Sequence, residues 1–220
     1  MVMAKAPAPG STKTRLCPPC TPEQAAALAE AALCDTLAAV EAAPVARRVI
    51  ALDGEPGDWL PEGWEVVVQR GDRLDVRLAN AIDDVAGPAL AIGMDTPQVS
   101  PALLGESVRR LVAGDIDAVL GPSSDGGFWA LGLRRPERAL LLGVPMSVSH
   151  TGSAQHDRLL AHGLRVAALP QLRDVDRIAD AFAVAALAPE GRFARALRQM
   201  SVDATAVRPE DMDDAGRRAP

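Results

Sequence analysis

The segment AKAPAPGSTKTRL, residues 4–16, carries three cations and no acidic residue close to the start of the chain. Gly10 and its small neighbours would let backbone N–H groups approach phosphate oxygens, and Lys13 and Arg15 would add positive charge. A solvated basic loop accounts for the same composition equally well. The segment is therefore a candidate phosphate-binding loop, and composition alone leaves both interpretations open.

Two aspartates follow apolar runs further along the chain. Asp95 ends the run Ala89–Met94, and a carboxylate held there suits a hard cation such as Mg²⁺, although an aspartate that caps the next turn is common. Asp125 begins the sequence Asp-Gly-Gly, which is an ordinary hairpin signal. The same turn would bring a carboxylate and two backbone units without side chains against a ligand.

Asp174 and Asp176 form a third acidic segment, after a predicted strand over residues 165–169. Two acids two residues apart project to the same side of an extended chain, which suits metal binding or substrate recognition. They would serve equally well as caps for the following helix.

Helical periodicity and capping signals alternate with short β-branched runs along the chain. Helices are predicted over residues 21–42, 73–85, 100–114, 153–162, 178–187 and 192–200. Strands are predicted over residues 48–52, 65–68, 89–94, 118–120, 128–133 and 165–169, with a short apolar stretch, Met1–Ala4, before the basic loop. This alternation predicts an α/β protein, a three-layer α/β/α sandwich around a mostly parallel mixed sheet. We expect one domain over residues 1–200 and a mobile tail over residues 201–220.

The position of the candidate segments follows from that architecture. Ligands of an open parallel sheet bind beyond the carboxyl ends of the strands. The basic loop, Asp95 and Asp125 all follow predicted strands, so we expect them at one edge of the sheet.

The bulk composition excludes several classes of protein. A net charge of -6 and a pI near 5.1 argue against nucleic-acid binding by phosphate neutralisation. No apolar run approaches the roughly 20 residues that cross a bilayer, and prolines interrupt the start before a secretory apolar region can form. A cytoplasmic protein is expected. The pair Cys17 and Cys20 lacks the partners of a zinc or redox site and is interpreted as part of a tight turn.

Five motifs occur in a fixed order: K-A-P-x-P-G-x-x-K-T-R-L, Q-x-G-x-x-L-x-x-R-L, I-G-x-D-x-P, G-P-x-x-D-G-G and L-R-D-V-D. Together they resemble bacterial transferases of the GT-A, nucleotide-diphospho-sugar transferase type, which have a Rossmann-like fold. Within that superfamily the chain is similar to a glycosyltransferase-like group related to 2-phospho-L-lactate guanylyltransferase and molybdenum-cofactor guanylyltransferase. The resemblance runs from Ala4 to about Asp180.

The resemblance implies roles for individual residues. Lys13 and Arg15 would contact the nucleotide phosphates, and Asp95 would be the principal ligand of Mg²⁺ or Mn²⁺, with Asp174 or Asp176 as the second acid. The basic loop would wrap the phosphates, the Q-x-G…R motif would face the same cleft or form a helix-capping turn, and Asp-Gly-Gly would line the acceptor or sugar side. The substrate-binding residues implied in this way are Ala6, Pro7, Gly10, Gln69, Gly71, Arg77, Asp125, Gly126 and Gly127.

The activity implied by the resemblance is metal-dependent nucleotidyl transfer. A nucleoside triphosphate would react with a phosphorylated small-molecule acceptor and release pyrophosphate. The acceptor phosphate is already ionised at neutral pH, so none of the three histidines is needed as a base. Glycosyl transfer from a nucleotide-sugar and nucleotide binding without turnover are the alternatives. The Asp95-Thr96-Pro97 sequence, in place of the D-x-D of many glycosyltransferases, and the charge of the basic loop favour the first activity.

Overall fold

A seven-stranded sheet forms the centre of the computed structural model, which describes residues 1–200. Its strands, in chain order, are β1 (Val2–Lys5), β2 (Val49–Asp53), β3 (Glu65–Val68), β4 (Ala89–Gly93), β5 (Ala118–Pro122), β6 (Phe128–Leu133) and β7 (Val166–Ala168). Their spatial order is β3-β2-β1-β4-β6-β5-β7. Strand β6 is antiparallel to both neighbours, and every other pair is parallel. The predicted mostly parallel sheet is confirmed.

The helices lie close to their predicted positions: α1 (Pro22–Ala42), α2 (Leu74–Val85), α3 (Pro101–Val112), α4 (Thr151–Ala161), α5 (Ile178–Leu187) and α6 (Arg192–Gln199). Helix α1 begins with a capping box, in which Gln24 N donates to Thr21 Oγ1 at 3.2 Å and Thr21 N donates to Gln24 Oε1 at 2.8 Å. Local sequence therefore fixes where this helix starts.

Helices cover both faces of the sheet. Strand residues alternate between the faces, so those of one parity pack beneath α1 and α3 and those of the other pack beneath α2 and α4. The first cluster includes Val2, Ala4, Ile50, Leu52 and Ile92 with Leu33, Leu37 and Leu104. The second includes Ala91, Leu120 and Leu131 with Leu78, Ile82 and Leu159. This arrangement is the predicted α/β/α sandwich.

Helix α6 packs against α1, and helix α5 packs against α6. Their cluster includes Leu28 of α1, Phe193 of α6 and Leu16, from a turn of 3-10 helix over Thr14–Leu16. Val175, which lies between the two acids of the last motif, belongs to the same cluster. The core therefore holds the end of the basic loop next to the Asp174–Asp176 segment.

Other predictions concern the cysteines and the chain beyond the core. Residues 17–20 form a turn, and Cys17, Cys20 and Cys34 are free thiols. Residues 201–220, predicted as a mobile tail, lie outside the described residues. Within residues 1–200, no helix combines the length and the apolar character that a membrane span requires.

Candidate functional site

The carboxyl ends of β1, β2, β4 and β5 border a cleft of about 1300 Å³. This is more than the roughly 300–1,000 Å³ of a typical small-molecule pocket. Charged side chains of both signs line it. The acids are Asp53, Asp95, Asp125, Asp174, Asp176 and Asp180, and the bases are Lys5, Arg15, Arg77, Arg173 and Arg177.

The segment after β7 brings two of these acids into the cleft. It first runs beside the end of β5, where Leu172 N donates to Pro122 O at 3.1 Å and Ser124 N donates to Leu172 O at 2.9 Å. It then crosses to the end of β4, where Val175 N donates to Asp95 O at 2.9 Å. Backbone hydrogen bonds thus fix Asp174 and Asp176 above the ends of two strands.

Asp125, Asp174 and Asp176 form an acidic cluster in which one oxygen of each carboxylate lies within 4.8 Å of the others. Asp174 Oδ1 is buried and has no hydrogen-bond partner among the described residues. Burial, with the nearby charges of Asp125 and Asp176, raises the pKa of Asp174 to about 7, although Lys13 acts in the opposite direction. The cluster therefore favours a bound proton or cation.

The donor set of this cluster fits a hard divalent cation. All three side chains offer carboxylate oxygens, which Mg²⁺ and Mn²⁺ prefer, and Asp174 Oδ1 has no hydrogen-bond donor within residues 1–200. Asp174 and Asp176 were predicted as metal ligands. Asp125 was predicted on the acceptor side, and the structure places it with them.

Lys13 occupies the space between the acidic cluster and Asp95. Its Nζ lies 2.8 Å from Asp95 Oδ1 and 3.8 Å from Asp176 Oδ1, and it donates a hydrogen bond to Val175 O. The contact with Asp95 is an ion pair rather than a well-aligned hydrogen bond. The Lys13 side chain is only 10% exposed. Asp95, predicted as the principal metal ligand, thus contacts a cation of the protein itself and lies outside the group of three carboxylates.

Two further cations lie closer to solvent. Arg15 Nη1 is 2.9 Å from Asp176 Oδ2, but the Arg15 side chain is 69% exposed. Lys5 ends β1, lines the cleft and forms no ion pair with another described residue. Sequence reasoning assigned no role to Lys5, although its place at the carboxyl end of the first strand was a signal that could have identified it.

Residues 6–12 of the basic loop lie outside the cleft. The Thr12 hydroxyl bonds Ala8 N at 3.1 Å and Ala8 O at 3.0 Å, which closes a turn around Gly10. Gly10 has a φ of 72°, a left-handed conformation that favours glycine. Ala6, Pro7 and Gly10 are not among the residues that line the cleft. Their substrate-binding role stays a prediction.

The Q-x-G…R motif connects three elements beside the cleft. Gln69 Nε2 donates to carbonyl oxygens of β1 and β2 at 2.8 and 2.9 Å. Arg77 donates to Gly71 O at 2.8 Å and to Asp53 Oδ2 at 3.0 Å. Gln69, Arg77 and Asp53 line the cleft, whereas Gly71 lies in the turn before α2. The motif positions the ends of the strands as well as facing the cleft.

The Asp-Gly-Gly turn joins β5 to β6, as its sequence predicted. Asp125 Oδ1 accepts a hydrogen bond from Gly127 N at 2.7 Å. Gly126 has a φ of 89°, and a Cβ there would lie 1.8 Å from Ser149 O. Only glycine fits, because the turn packs directly on the backbone before α4. Asp125 and Gly127 line the cleft, whereas Gly126 lies between them outside the lining.

Residues 146–151, before and at the start of α4, form a cleft wall that no sequence motif indicated. His150, left unassigned, is exposed and belongs to this wall, whereas His156 and His162 do not line the cleft. Ser147 has a φ of 60°, which is uncommon for a residue with a side chain.

A family model described as "Uncharacterized protein conserved in bacteria (DUF2064)" matches residues 36–148, just over half of the chain. The chain belongs to this family. The matched region includes Asp95 and Asp125 but neither the basic loop nor the Asp174–Asp176 segment.

Curated relatives are similar to part of the chain only. Argininosuccinate lyases of Mycobacterium avium and Mycolicibacterium paratuberculosis are 39% identical over 107 residues, which is 49% of this chain and 20% of each relative. The chain thus spans about a fifth of the length of these relatives.

Solved structures share the fold. A Desulfovibrio desulfuricans protein described as a nucleotide-diphospho-sugar transferase is 23% identical, with a TM-score of 0.75 over 92% of this chain and 97% of that one. The 2-C-methyl-D-erythritol 4-phosphate cytidylyltransferase of Thermus thermophilus is 19% identical, with a TM-score of 0.52 over 86% and 98%. Mycobacterium tuberculosis Rv0371c, solved in complex with manganese, is 20% identical, with a TM-score of 0.51 over 83% and 95%. These likenesses confirm the fold class.

Proposed function

We propose that this protein is a metal-dependent nucleotidyltransferase, which joins a nucleoside triphosphate to a phosphorylated small-molecule acceptor. The observation that carries the proposal is the cluster of Asp125, Asp174 and Asp176 in the cleft, with a buried unpaired oxygen on Asp174 and the cations of Lys13 and Arg15 in contact with Asp176. The likeness to a cytidylyltransferase of the same fold supports this choice of reaction.

In the proposed reaction an acceptor phosphate oxygen attacks the α-phosphorus of the triphosphate. The new bond joins acceptor and nucleotide, and the bond from the α-phosphorus to the β-bridging oxygen breaks, so that pyrophosphate leaves with its electron pair. No proton has to be removed, because the attacking oxygen is already ionised. The protein therefore acts by holding the two substrates together and by balancing their charge.

Asp125, Asp174 and Asp176 are the residues that would hold Mg²⁺ or Mn²⁺. Such an ion, when bound, supplies positive charge to phosphate oxygens. The manganese complex of the structurally similar Rv0371c is consistent with this assignment. Asp95 is proposed to act through Lys13: the ion pair holds the ammonium at the edge of the cluster, where triphosphate oxygens would compete for it. Lys5 and Arg15, both exposed, would bind the outer phosphates.

Two substitutions separate these roles. Asp174→Asn should abolish Mn²⁺ binding, measured by electron paramagnetic resonance, and with it pyrophosphate release. Asp95→Asn should leave Mn²⁺ affinity within a few-fold and lower the rate about 10²-fold, because only the position of Lys13 changes. Asp58→Asn, an exposed position outside the cleft, is the control. Mn²⁺ binding by Asp174→Asn with unchanged affinity would contradict the metal assignment.

A third substitution tests the phosphate contacts. Lys13→Ala should weaken the binding of a nucleoside triphosphate more than that of the monophosphate, since the lost cation faces the additional phosphates. Calorimetric titration in the presence of Mn²⁺ measures both affinities. Equal losses of affinity for the two nucleotides would show that Lys13 does not bind the additional phosphates.

Glycosyl transfer from a nucleotide-sugar is the second candidate, supported by the likeness to a protein described as a nucleotide-diphospho-sugar transferase. The released product distinguishes the two reactions: nucleotidyl transfer yields pyrophosphate, and glycosyl transfer yields a nucleoside diphosphate or monophosphate. Nucleotide binding without either product would indicate a module that does not turn over.

A further inference from the structure

Apolar side chains line one side of the cleft, and the proposed reaction gives them no role. They come from β1, β4 and β6, from the first two turns of α2 and from the segment before α4. None of them carries a charge or a hydrogen-bond donor. We call this set the apolar patch, and its members are Met3, Leu74, Leu78, Ala91, Phe128, Met146 and Val148. A surface of this kind suits an apolar group and not a phosphate.

The floor of the apolar patch is an extension of the protein core. Leu78 and Ala91 are buried in the cluster between the sheet and helices α2 and α4, and Met3 and Phe128 pack against the same cluster. Close packing holds these side chains in place. The floor is therefore a pre-formed surface rather than one that a ligand must create.

Two side chains at the rim of the apolar patch are exposed although they are apolar. Leu74, the first residue of α2, is 46% exposed, and Val148, three residues before α4, is 40% exposed. A single exposed apolar side chain is normal on a protein surface. These two line the same cleft as the apolar floor, so a ligand in the patch would remove their apolar area from water as well.

Gly93 leaves the centre of the floor open. It is the last residue of β4 and lines the cleft, and it faces the same side of the sheet as Ala91 because strand residues alternate between the faces. A Cβ placed on Gly93 would meet only Asp95 N, at 4.0 Å. The φ of Gly93 is not positive, so the backbone does not require glycine there. The missing side chain therefore leaves space for a ligand.

Arg77 lies between Leu74 and Leu78 in α2 but does not place its charge on the apolar patch. Its guanidinium donates to Gly71 O at 2.8 Å and to Asp53 Oδ2 at 3.0 Å. These bonds hold the charge at the end of β2 and the turn before α2. The patch itself therefore stays uncharged.

The apolar patch adjoins the charged part of the cleft at two points. Lys5 lies two residues beyond Met3 on the same face of β1 and lines the cleft. Phe128 follows Asp125, a member of the acidic cluster, by three residues. A ligand with a phosphate at one end and an apolar group at the other matches this arrangement.

We propose that the apolar patch binds an apolar part of the acceptor, so that the acceptor is a phosphate ester of an apolar alcohol. The proposal rests on the proposed function for the role of this ligand as the second substrate. A nucleobase also has apolar faces, but its edge needs hydrogen-bond partners, and the side chains of the patch offer no donor and only weak sulfur acceptors. The acceptor's phosphate lies toward the acidic cluster and its cation.

A series of alkyl phosphates tests the proposal. Methyl, butyl and hexyl phosphate are each titrated calorimetrically into the Mn²⁺-loaded full chain. Affinity should rise roughly two- to fourfold for each added CH₂ group, because each one moves from water to an apolar surface. An affinity that does not depend on chain length would overturn the proposal.

Substitutions at the rim and the floor locate the effect. Leu74→Gln and Val148→Thr should each lower hexyl phosphate affinity roughly three- to tenfold and leave methyl phosphate and Mn²⁺ affinity unchanged. Gly93→Val, which fills the floor, should lower hexyl phosphate affinity about tenfold or more. Because the first two residues are exposed, their replacement does not disturb the core. Full chain-length dependence in both rim variants would overturn the assignment of the patch.

Matched controls come from exposed apolar residues outside the cleft lining. Val112, at the end of α3, is 63% exposed, and Leu187, at the end of α5, is 67% exposed. Val112→Thr and Leu187→Gln repeat the two rim substitutions chemically. Both should keep the chain-length dependence of the unaltered protein, and its loss in either control would show that the effect does not arise in the patch.

The source of the apolar group is decided by competition. The α,β-methylene analogues of ATP, CTP, GTP and UTP are added at saturation before hexyl phosphate. Hexyl phosphate should bind with undiminished affinity, and competition would place the nucleobase in the patch and overturn the proposal. Pyrophosphate release is measured separately. Chain-length dependence without release from any triphosphate would refute nucleotidyl transfer alone, whereas release that is equally fast with methyl and hexyl phosphate would refute only the apolar site.

Discussion

Replacing Asp174 by asparagine is expected to stabilise the metal-free protein at alkaline pH while abolishing its response to Mg²⁺. In the folded chain this carboxyl has a pKa of about 7, against an ordinary value of 3.8. The folded state therefore binds a proton that the unfolded state has already released. The free energy of unfolding is therefore highest below the unfolded pKa of this carboxyl, decreases as pH rises toward 7, and is constant above pH 7 as far as this group is concerned. Asparagine keeps the shape of the side chain and removes the charge.

The structure sets the size of this effect. A pKa raised from 3.8 to about 7 corresponds to about 4 kcal/mol, since each pKa unit is worth ~1.4 kcal/mol. Contact of the partly exposed side chain with solvent reduces the figure, and we expect about 2 kcal/mol at about pH 8. For a chain of this length that corresponds to a rise in Tm of roughly 4–8 °C. At about pH 5 only a third of the gain should remain, because that pH lies about one unit above the unfolded pKa.

Differential scanning calorimetry at the two pH values, with chelator and then with excess MgCl₂, measures both parts of the prediction. Bound Mg²⁺ at 100 times its Kd adds about 2.7 kcal/mol to the unaltered protein and nothing to Asp174→Asn. Asp58→Asn, at an exposed position, should show neither effect. A Tm of Asp174→Asn at pH 8 that is equal to or below that of the unaltered protein would refute the reasoning, as would a gain of the same size at both pH values.

Two further predictions concern stability outside the acidic cluster. Gly126→Ala should lower the free energy of unfolding by about 3 kcal/mol in urea titration, because its Cβ would meet Ser149 O. Gly63 has a similar φ but open space around it, so Gly63→Ala should lower the free energy of unfolding by only about 1 kcal/mol. Equal losses in the two variants would exclude the clash. The Arg73 guanidinium holds the pKa of Asp75, which is 2% exposed, well below its usual range. Asp75→Asn should therefore lower the free energy of unfolding by about 2 kcal/mol at neutral pH, and this loss should shrink as pH falls below about 4. A loss that does not depend on pH in the same titration would count against the ion pair.

The arrangement of helices and strands was predictable because its determinants are local. The capping box at Thr21 and Gln24 fixes the start of α1 within four residues of sequence. The apolar run at β4 and the Asp-Gly-Gly turn before β6 act over similar distances. The order of the strands in the sheet, in contrast, was not predictable from local sequence. Backbone pairing inserts β6 between β4 and β5, and no local pattern indicates that order.

The sequence predicted which residues line the candidate site, but only in part which of them lie next to one another. The ends of the strands indicated that Asp95, Asp125 and Asp174 lie at one edge of the sheet, and all three line the cleft. Which acid stands beside which cation depends on side-chain directions and on the path of a loop. The pairing of Lys13 with Asp95 joins residues 82 positions apart, and no spacing rule reaches that far.

The sequence by itself determined the elements, the α/β class and the set of charged residues available for chemistry, because helix caps, strand runs and turn glycines act between near neighbours. The tertiary structure decided how those charges are divided. Packing of α6 on α1 and of Val175 in the same cluster brings the Asp174–Asp176 segment against the basic loop. Lys13 therefore contacts Asp95 and lies near Asp176, whereas Asp125, Asp174 and Asp176 gather into one acidic cluster. The raised pKa of Asp174 arises mainly from burial, which depends on contacts between distant parts of the chain.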